Sequence, residues 1–334
     1  MVVHQGVLYA GTGDTVGDGD VWRYNGGTSW TQIGGDGLNT GWAGATIERV
    51  QSLVSDGTNL YAGLALTAGD AEVWRWNGTT WSQIGGDAVN ASWANATYEY
   101  VYSMTNDGTD IYVGLGLSSG DGEVWRWDGA TWAKIGGDAV NSGFGGTSGS
   151  INSLTYDASS STLYAGVQST YGAHEWSYNG SSWSLIGGNS IDGSWSNYYL
   201  GTVTSLTSHN GKQYVGTGAS QSTALVYEYD GSSYTLVGGS GYKNSWPHGN
   251  NGVYEAVHSL FSFNGDLYAG IGSNGGDGEV WRYNGSTWSQ VGGDGVNGSW
   301  STASYVNTMV ASYTPLFLVE VLMGISMNIM VRRG

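Results

Sequence analysis

Residues 50–86 contain, in order, the segments Val-Gln-Ser-Leu-Val-Ser, Asp-Gly-Thr-Asn, Leu-Tyr-Ala-Gly-Leu-Ala-Leu, Thr-Ala-Gly-Asp-Ala, Glu-Val-Trp-Arg-Trp, Asn-Gly-Thr, Thr-Trp-Ser-Gln-Ile and Gly-Gly. Four short segments rich in aromatic and β-branched residues alternate here with turns built on glycine, asparagine and aspartate. Such segments predict β-strands, and the Asn-Gly pair is typical of a tight hairpin turn. None of them has a helical period with capping residues. The stretch therefore predicts four consecutive antiparallel strands.

The same phrase recurs along the chain at a nearly constant spacing. The glycine that closes its second strand falls at Gly11, Gly63, Gly114, Gly166, Gly216 and Gly270. A fixed period of this length indicates copies of one supersecondary unit that bury their apolar faces on one another. Four antiparallel strands repeating at about 40 to 50 residues are typical of a β-propeller blade. We predict an all-β chain, a β-propeller of four-stranded antiparallel blades with a repeat of about 51 residues.

The repeat predicts seven blades in a single propeller domain over residues 1–334, and six blades plus an incomplete seventh is the alternative. The predicted blades cover approximately residues 2–35, 50–86, 101–137, 151–188, 203–239, 257–293 and 306–334. No signal peptide is visible before the first unit. Since Met1 already lies inside a unit, we expect the natural protein to be longer at its N-terminus.

The C-terminal run from Leu316 to Val331 departs from the repeat and is rich in Met, Leu and Ile. One interpretation is a membrane anchor, but the run has 16 residues and includes Glu320, whereas a helical span needs about 20 apolar residues. The other interpretation is a frameshifted seventh unit. A shift by one nucleotide across residues 323–331 can spell the third-strand phrase of the repeat, and the nucleotide sequence would decide it.

Composition limits the partners. The chain has 10 Lys and Arg against 27 Asp and Glu, a net charge of −17. This charge opposes binding to nucleic acid and to anionic lipid, which need clustered positive charge. We therefore expect no nucleic-acid partner and no membrane insertion. The absence of cysteine excludes disulfides and thiolate metal sites.

Two family resemblances follow from the phrases of the repeat. The hairpin Tyr24-Asn-Gly-Gly-Thr-Ser-Trp30 resembles the hairpin of the third and fourth strands in kelch-type propellers, although the double glycine here follows the fourth strand instead of the second. The phrase Trp-x-x-Ile-Gly-Gly, with a later Trp and then Leu-Tyr-Ala, resembles the tachylectin-type propeller lectins. Both resemblances cover nearly the whole chain. They imply a binding propeller and do not identify its ligand.

The connection after each fourth strand places one aromatic residue in every unit, and loops carry function on rigid scaffolds. These aromatics are Trp42, Trp93, Phe144, Trp195, Trp246 and Trp300. An aspartate precedes four of them by six residues, at Asp36, Asp87, Asp138 and Asp294, and Asn189 and Ser240 replace it elsewhere. An aromatic face beside carboxylates suits a sugar. The alternative is that these aromatics pack between blades.

The predicted first strands line the central channel, where the units differ from one another. Glu48, Glu99, Glu255 and His258 are the candidates for an acidic channel mouth. Such a group of residues could bind a cation or supply paired carboxylates for acid–base catalysis. The alternative is a solvated acidic rim.

Metal and cofactor signals are weak. Turns such as Asp18-Gly-Asp20 lack the further oxygen ligands of a calcium loop. We predict no metal site and no cofactor, with weak calcium binding left open. The sequence favours a non-enzymatic binding propeller, extracellular or on a cell or virion surface, with carbohydrate as the ligand. A protein-interaction or structural propeller is the alternative, and an enzyme with its site at the channel mouth is the third hypothesis.

Overall fold

The computed structural model describes residues 1–332 apart from 14–16, 43–46, 67–70, 95–99, 117–121, 146–147, 170–171, 189, 196–200, 219–223, 247–255, 273–277, 301–304, 312–315 and 322–326. For residues 48, 316–321 and 327–332 it describes the backbone. Two compact parts are present, one of Met1–Leu163 with Tyr178–Trp183 and one of Tyr164–Ser177 with Ser184–Gly334. The assignment of residues 1–334 to a single domain stays a prediction.

The first part contains three complete four-stranded antiparallel units. Their strands are β1 (Val2–His4), β2 (Val7–Gly11), β3 (Val21–Gly26), β4 (Ser29–Gly34), β5 (Ile47–Ser55), β6 (Leu60–Leu66), β7 (Val73–Trp76), β8 (Trp81–Gly85), β9 (Tyr100–Asn106), β10 (Ile111–Gly116), β11 (Glu123–Trp127) and β12 (Trp132–Gly136). In each unit the strands pair in chain order. Single bridges, Ala65 to Tyr100 and Gly116 to Ser150, link the second strand of one unit to the first strand of the next.

The fourth unit supplies β13 (Ser148–Asp157), β14 (Thr162–Ser169), β15 (Gly172–Tyr178) and β16 (Trp183–Gly187), and the boundary between the two parts runs through it. The second part continues with β17 (Thr202–His209), β18 (Lys212–Gly218), β19 (Val226–Tyr229), β20 (Tyr234–Gly238), β21 (Ala256–Phe263), β22 (Asp266–Gly272), β23 (Glu279–Tyr283) and β24 (Trp288–Gly292). Its last sheet consists of β25 (Thr308–Ala311), β26 (Leu316–Val321) and β27 (Met327–Arg332).

The predicted all-β class and its four-stranded antiparallel units are confirmed. Within the described residues the helical segments are six three-residue 3-10 turns. The C-terminal run that departs from the repeat forms the antiparallel strands β26 and β27, and β26 also pairs with β25. The count of seven blades stays a prediction.

The second strand of each unit forms its interior because it lies between the first and third strands. All six residues of β10 are buried, which explains why this segment is almost wholly apolar. The glycine in this strand allows the next unit to approach closely. A Cβ on Gly63 would lie 2.6 Å from Val101 of the following unit, so the Leu-Tyr-Ala-Gly phrase encodes packing between units.

The double glycine after the fourth strand serves a second contact between units. Trp81 extends to the preceding unit, where its Nε1 donates a hydrogen bond to the Ile33 carbonyl at 2.8 Å. A Cβ on Gly34 would lie 2.8 Å from that Nε1 and 3.1 Å from the Trp42 ring. Glycine is therefore required where two indoles meet the backbone. The same bond joins Trp132 to Ile84, Trp183 to Ile135 and Trp288 to Val237.

At the contact between the fourth and fifth units a buried polar pair replaces this arrangement. Glu175 is 0% exposed and stands where other units place a buried valine, at Val21, Val73, Val124, Val226 and Val280. Tyr234 stands at the position of Trp81, and its hydroxyl donates to Glu175 Oε2 at 2.7 Å. Among the described residues Glu175 Oε1 has no hydrogen-bond partner. Burial raises the pKa of Glu175 to about 8, so the carboxyl is protonated at neutral pH.

We expect this pair to make stability fall as pH rises. Because the pKa of Glu175 is raised from 4.5 to about 8, the folded state holds a proton that the unfolded state releases. The stabilisation is complete below pH 4.5 and is lost as pH rises through about 8. The urea midpoint at pH 6 and pH 9 should therefore drop more for the wild type than for Glu175→Val/Tyr234→Trp, which restores the repeat residues. Equal drops in the two proteins would contradict this.

Single changes at the pair should cost more than the double change. Tyr234→Phe removes the donor and leaves the buried carboxyl without its partner, a loss of about 1 to 3 kcal/mol. Replacing both groups with apolar residues of fitting shape is close to neutral or stabilising. Urea unfolding at pH 6 measures both free energies. The neighbouring ionisable side chains Tyr229 and Tyr164 stay unchanged in all variants and serve as the common background.

Candidate functional site

The connections after the fourth strands are compact turns of one repeated geometry. They contain the 3-10 turns Leu38–Thr40, Val89–Ala91, Val140–Ser142, Ile191–Gly193, Tyr242–Asn244 and Val296–Gly298. In the second unit Asn90 Nδ2 donates to the Ile84 carbonyl at 3.0 Å, and Ser92 Oγ accepts from the Gly86 amide at 2.9 Å. Side-chain bonds to the backbone thus fix the turn, so a group carried on it has a defined position.

The structure corrects the expectation that the connection aromatics expose their faces to a ligand. Trp42, Trp93, Phe144, Trp195 and Trp246 are only 1 to 3% exposed, and Trp300 is partly buried. Trp93 shows the reason. Its Nε1 donates to the Ala71 carbonyl at 2.7 Å, and its ring meets Trp125 and Trp132 edge to face at 5.7 and 5.3 Å. These rings pack between units, the alternative that the sequence left open.

The other connection tryptophans repeat this hydrogen bond to the backbone near the start of the third strand. The indoles of Trp42, Trp195, Trp246 and Trp300 donate to the carbonyls of Gly19, Ala173, Ala224 and Gly278. Phe144 has no N–H and packs edge to face on Trp183 at 5.5 Å. A natural phenylalanine at this position shows that ring volume is the shared requirement.

The loop aspartates are exposed, in contrast to the aromatics. Asp36, Asp87, Asp138 and Asp294 have φ of 52, 55, 48 and 50° and are exposed. In the second unit Gln83 Nε2 donates to Asp87 Oδ2 at 3.4 Å. Gln83 is the cross-strand partner of Trp74, and Trp74 Nε1 donates to Glu72 Oε2 at 2.6 Å. Glu72, Trp74, Gln83 and Asp87 therefore lie together, and we name this set the acidic patch.

The acidic patch recurs in three other units at the same repeat positions. Its members are Asp20, Trp22, Gln32 and Asp36 in the first unit, Glu123, Trp125, Lys134 and Asp138 in the third, and Glu279, Trp281, Gln290 and Asp294 in the sixth. The bond from the indole to the carboxylate is present in the third and sixth units at 2.6 Å. The Trp rings are partly buried throughout.

The fourth and fifth units lack the two carboxylates of the patch and its fourth-strand amide or ammonium. Their residues at these positions are His174, Trp176, Leu185 and Asn189, and Leu225, Tyr227, Leu236 and Ser240. The carboxylate at the start of the third strand, the fourth-strand amide or ammonium and the loop aspartate are thus lost together. Comparison of these three positions across the repeats is the signal that could have identified the patch from sequence. The loop position alone could not, because its partners lie 4 and 15 residues earlier, at Gln83 and Glu72.

Like charges shape the patch of the first unit. Burial raises the pKa of the Asp20 carboxyl to about 6, and the charges of Asp36 and Asp18 act in the same direction, whereas the hydrogen bond from Gln32 opposes them. That bond, from Gln32 Nε2 to Asp20 Oδ1, is 2.8 Å long. A positive group placed here would relieve the repulsion.

The candidate channel mouth is described only in part. Glu99 and Glu255 lie outside the described residues, as does the side chain of Glu48. His258 is partly buried, and its ring centroid lies 4.8 Å from that of Tyr305. Burial lowers the pKa of His258 to about 4, although a hydrogen bond with the Gly272 backbone acts in the opposite direction. The convergence of the three glutamates stays a prediction.

The described part of the chain contains no group of three or more His, Asp or Glu side chains that could hold a metal ion. The turn residues Asp70, Asp121 and Asp277 lie outside that part. Among the same described residues, no helix has the length and apolar character needed to cross a membrane.

Comparisons with known proteins agree on the fold. No protein-family model and no curated protein sequence matches the chain. Solved structures do match. The extracellular domain of the putative one-component system BT4673 from B. thetaiotaomicron has a TM-score of 0.58 and 16% identity over 93% of this chain and 37% of that one. YCF48 from Cyanidioschyzon merolae has a TM-score of 0.56 and 12% identity over 96% and 94%.

A chain of the mitotic checkpoint complex is similar to the same extent, with a TM-score of 0.57 and 12% identity over 94% of this chain and 85% of that one. These neighbours are β-propeller proteins. The chain spans little more than a third of the BT4673 domain. At such low identity the likeness shows the fold, and the protein is therefore a β-propeller.

Truncating a connection aromatic should destabilise the protein by the cost of a buried cavity. Trp93→Ala should lower the free energy of unfolding by about 3 to 5 kcal/mol. Trp93→Phe, which copies the natural Phe144, keeps most of the volume and loses one buried hydrogen bond, so it should cost about 1 to 3 kcal/mol. Urea denaturation measures both. A cost below 1 kcal/mol for Trp93→Ala would contradict the packing role.

Proposed function

We propose that this propeller is a non-enzymatic binding protein that binds carbohydrate through repeated loops. The observation that carries the proposal is the acidic patch, which recurs with all its polar members in four units and loses them together in the other two. A structural network needed by every blade would recur in all six. Joint loss in the fourth and fifth units is what a shared ligand role would produce.

The chemistry of the patch suits a sugar. Trp74 offers a partly buried indole, and such rings stack on the CH faces of sugars. Glu72 accepts the indole N–H at 2.6 Å and so fixes the ring edge, while Asp87 and Gln83 can accept and donate hydroxyl hydrogen bonds. The turn that carries Asp87 is held by Asn90. A preorganised site loses less entropy on binding.

Two further observations support this assignment. The hairpin and double-glycine phrases resemble those of kelch-type propellers and tachylectin-type lectins, and the second of these groups binds sugars. The BT4673 neighbour is an extracellular domain, which supports a location outside the cell or on its surface. The connection aromatics contribute to this function as the packed support of the loops.

A protein-binding function is the second candidate, favoured by one observation. The same turns present exposed apolar side chains, Leu38 at 40% and Tyr242 at 46% exposure. Exposed aromatics are common at protein interfaces. One neighbour is part of a complex, the mitotic checkpoint complex. An enzyme at the channel mouth has less support than either.

A glycan array of the purified chain tests the proposal, followed by calorimetry with the best oligosaccharide. Asp36→Asn/Asp87→Asn/Asp138→Asn/Asp294→Asn should weaken binding at least about tenfold, since hydrogen bonds to charged groups contribute about 1.5 to 3 kcal/mol. Asparagine tolerates the left-handed backbone of these positions, so the variant should fold. Unchanged binding would contradict the assignment.

A matched control is available in the fourth unit. Asp192 is exposed on the equivalent turn with φ of 50°, and its unit lacks the patch. Asp192→Asn removes one loop charge and should leave binding unchanged. A loss equal to that of Asp87→Asn would mean that overall charge, and not the patch, determines affinity.

A further inference from the structure

The third unit contains a cation of its own inside the acidic patch. Lys134 Nζ lies 2.8 Å from Glu123 Oε1 and 3.1 Å from Asp138 Oδ2. The Glu123 side chain is 4% exposed and that of Lys134 29%. One ammonium group thus bridges a buried carboxylate from the third strand and an exposed carboxylate from the loop.

The other three patches place glutamine at the position of Lys134. Gln32, Gln83 and Gln290 are cross-strand partners of Trp22, Trp74 and Trp281, as Lys134 is of Trp125. An amide carries hydrogen-bond donors without a formal charge. The two carboxylate positions of the patch are nevertheless kept in these units. The glutamine patches therefore carry one positive charge fewer than the lysine patch.

In the first unit the third-strand carboxyl lies among like charges. Asp20 occupies the position of Glu123, and the charges of Asp36 and Asp18 help burial to raise its pKa. In the third unit the side chain at the fourth-strand position is itself the cation. The fold therefore accommodates an ammonium group at this point, where the glutamine amides of the other three patches donate hydrogen bonds but carry no formal charge.

We propose that the acidic patches of the first, second and sixth units bind a primary ammonium group of the ligand at the position that Lys134 Nζ takes in the third unit. This inference rests on the proposed carbohydrate function, so the ligand is an amino sugar with a free, protonated amine. Its ring packs on the partly buried indole of Trp22, Trp74 or Trp281.

The ammonium chemistry matches the geometry. An ammonium group has three donors, enough to bond the third-strand carboxylate, the loop carboxylate and a glutamine Oε1. Bonds between charged partners are shorter and stronger than neutral ones. The net charge of −17 attracts a cationic oligosaccharide and speeds encounter. An N-acetylated amine carries no charge, so it gains neither the charged hydrogen bonds nor the electrostatic attraction.

The first experiment is calorimetric titration of the full chain with three probes at 50 and 150 mM salt. The probes are a glucosamine tetrasaccharide, its fully N-acetylated form and a lysine tetrapeptide. We expect the free amine to bind at least about tenfold more tightly than the N-acetylated form, since loss of a charged hydrogen bond costs more than about 1.4 kcal/mol. Its affinity should fall as salt rises.

The second experiment uses the lysine that the fold already contains. Gln32→Lys/Gln83→Lys/Gln290→Lys supplies each patch with its own ammonium and should reduce glucosamine binding at least about tenfold. Lys134→Gln removes the ammonium group from the patch of the third unit and should add one glucosamine-binding site per chain. The control Gln32→Met/Gln83→Met/Gln290→Met removes the amides without adding charge and should retain more affinity than the lysine variant. Circular dichroism confirms that each variant is folded.

The outcomes separate this inference from the proposed function. Tighter binding of the N-acetylated form, with sensitivity to Asp87→Asn, would overturn the ammonium site and retain the carbohydrate function. Equal losses in the lysine and methionine variants would also overturn the ammonium site. Binding of the lysine tetrapeptide without either glycan, or no binding of any probe to the folded chain, would overturn the ammonium site, and the glycan array then tests the carbohydrate function with other sugars.

Discussion

The hydrogen bond from a fourth-strand indole to the carbonyl of the preceding unit is the interaction on which the other features of this propeller depend. Trp81 and Trp132 make it to Ile33 and Ile84 at 2.8 and 2.7 Å. The glycine that ends the fourth strand leaves room for that indole, because a Cβ there would clash with it. The connection aromatic of the preceding unit packs edge to face on the same indole, as Trp42 does on Trp81. Because the bond is buried and joins neighbouring units, it fixes their spacing, and a strand shift within one unit would break it.

This constraint also explains which parts of the sequence vary. Residues that meet at the contact between units are nearly the same in every copy, whereas the pair Glu175 and Tyr234 shows that a change on one side requires a fitting change on the other. The patch side chains Glu72, Gln83 and Asp87 instead form hydrogen bonds within their own unit. The fourth and fifth units lack the equivalents of these three residues, and Trp183 and Trp288 still bond there to Ile135 and Val237.

The strands were predictable because their signal is local: alternating aromatic and β-branched residues between Asn-Gly and Asp-Gly turns form hairpins in any context. Only part of the candidate site was predictable from the sequence. Asp87 was found from its loop, but a tryptophan such as Trp93 has the same sequence signature whether its ring is exposed or buried. What buries it is the Ala71 carbonyl, 22 residues away, and the ring of Trp132 from the next unit. Such contacts are created by folding.

The presence of patches on three consecutive units of one compact part has a consequence for avidity. A single patch has one indole, two carboxylates and one amide or ammonium, so its affinity for a lone sugar is expected to be modest. A polymer that engages one patch is tethered near the next, and the second contact then forms at an effective concentration of about millimolar for a short flexible link. Under the proposed carbohydrate function, such a protein would discriminate by the density of its ligand: it would ignore dilute free sugar and be retained on a surface that repeats the same residue many times.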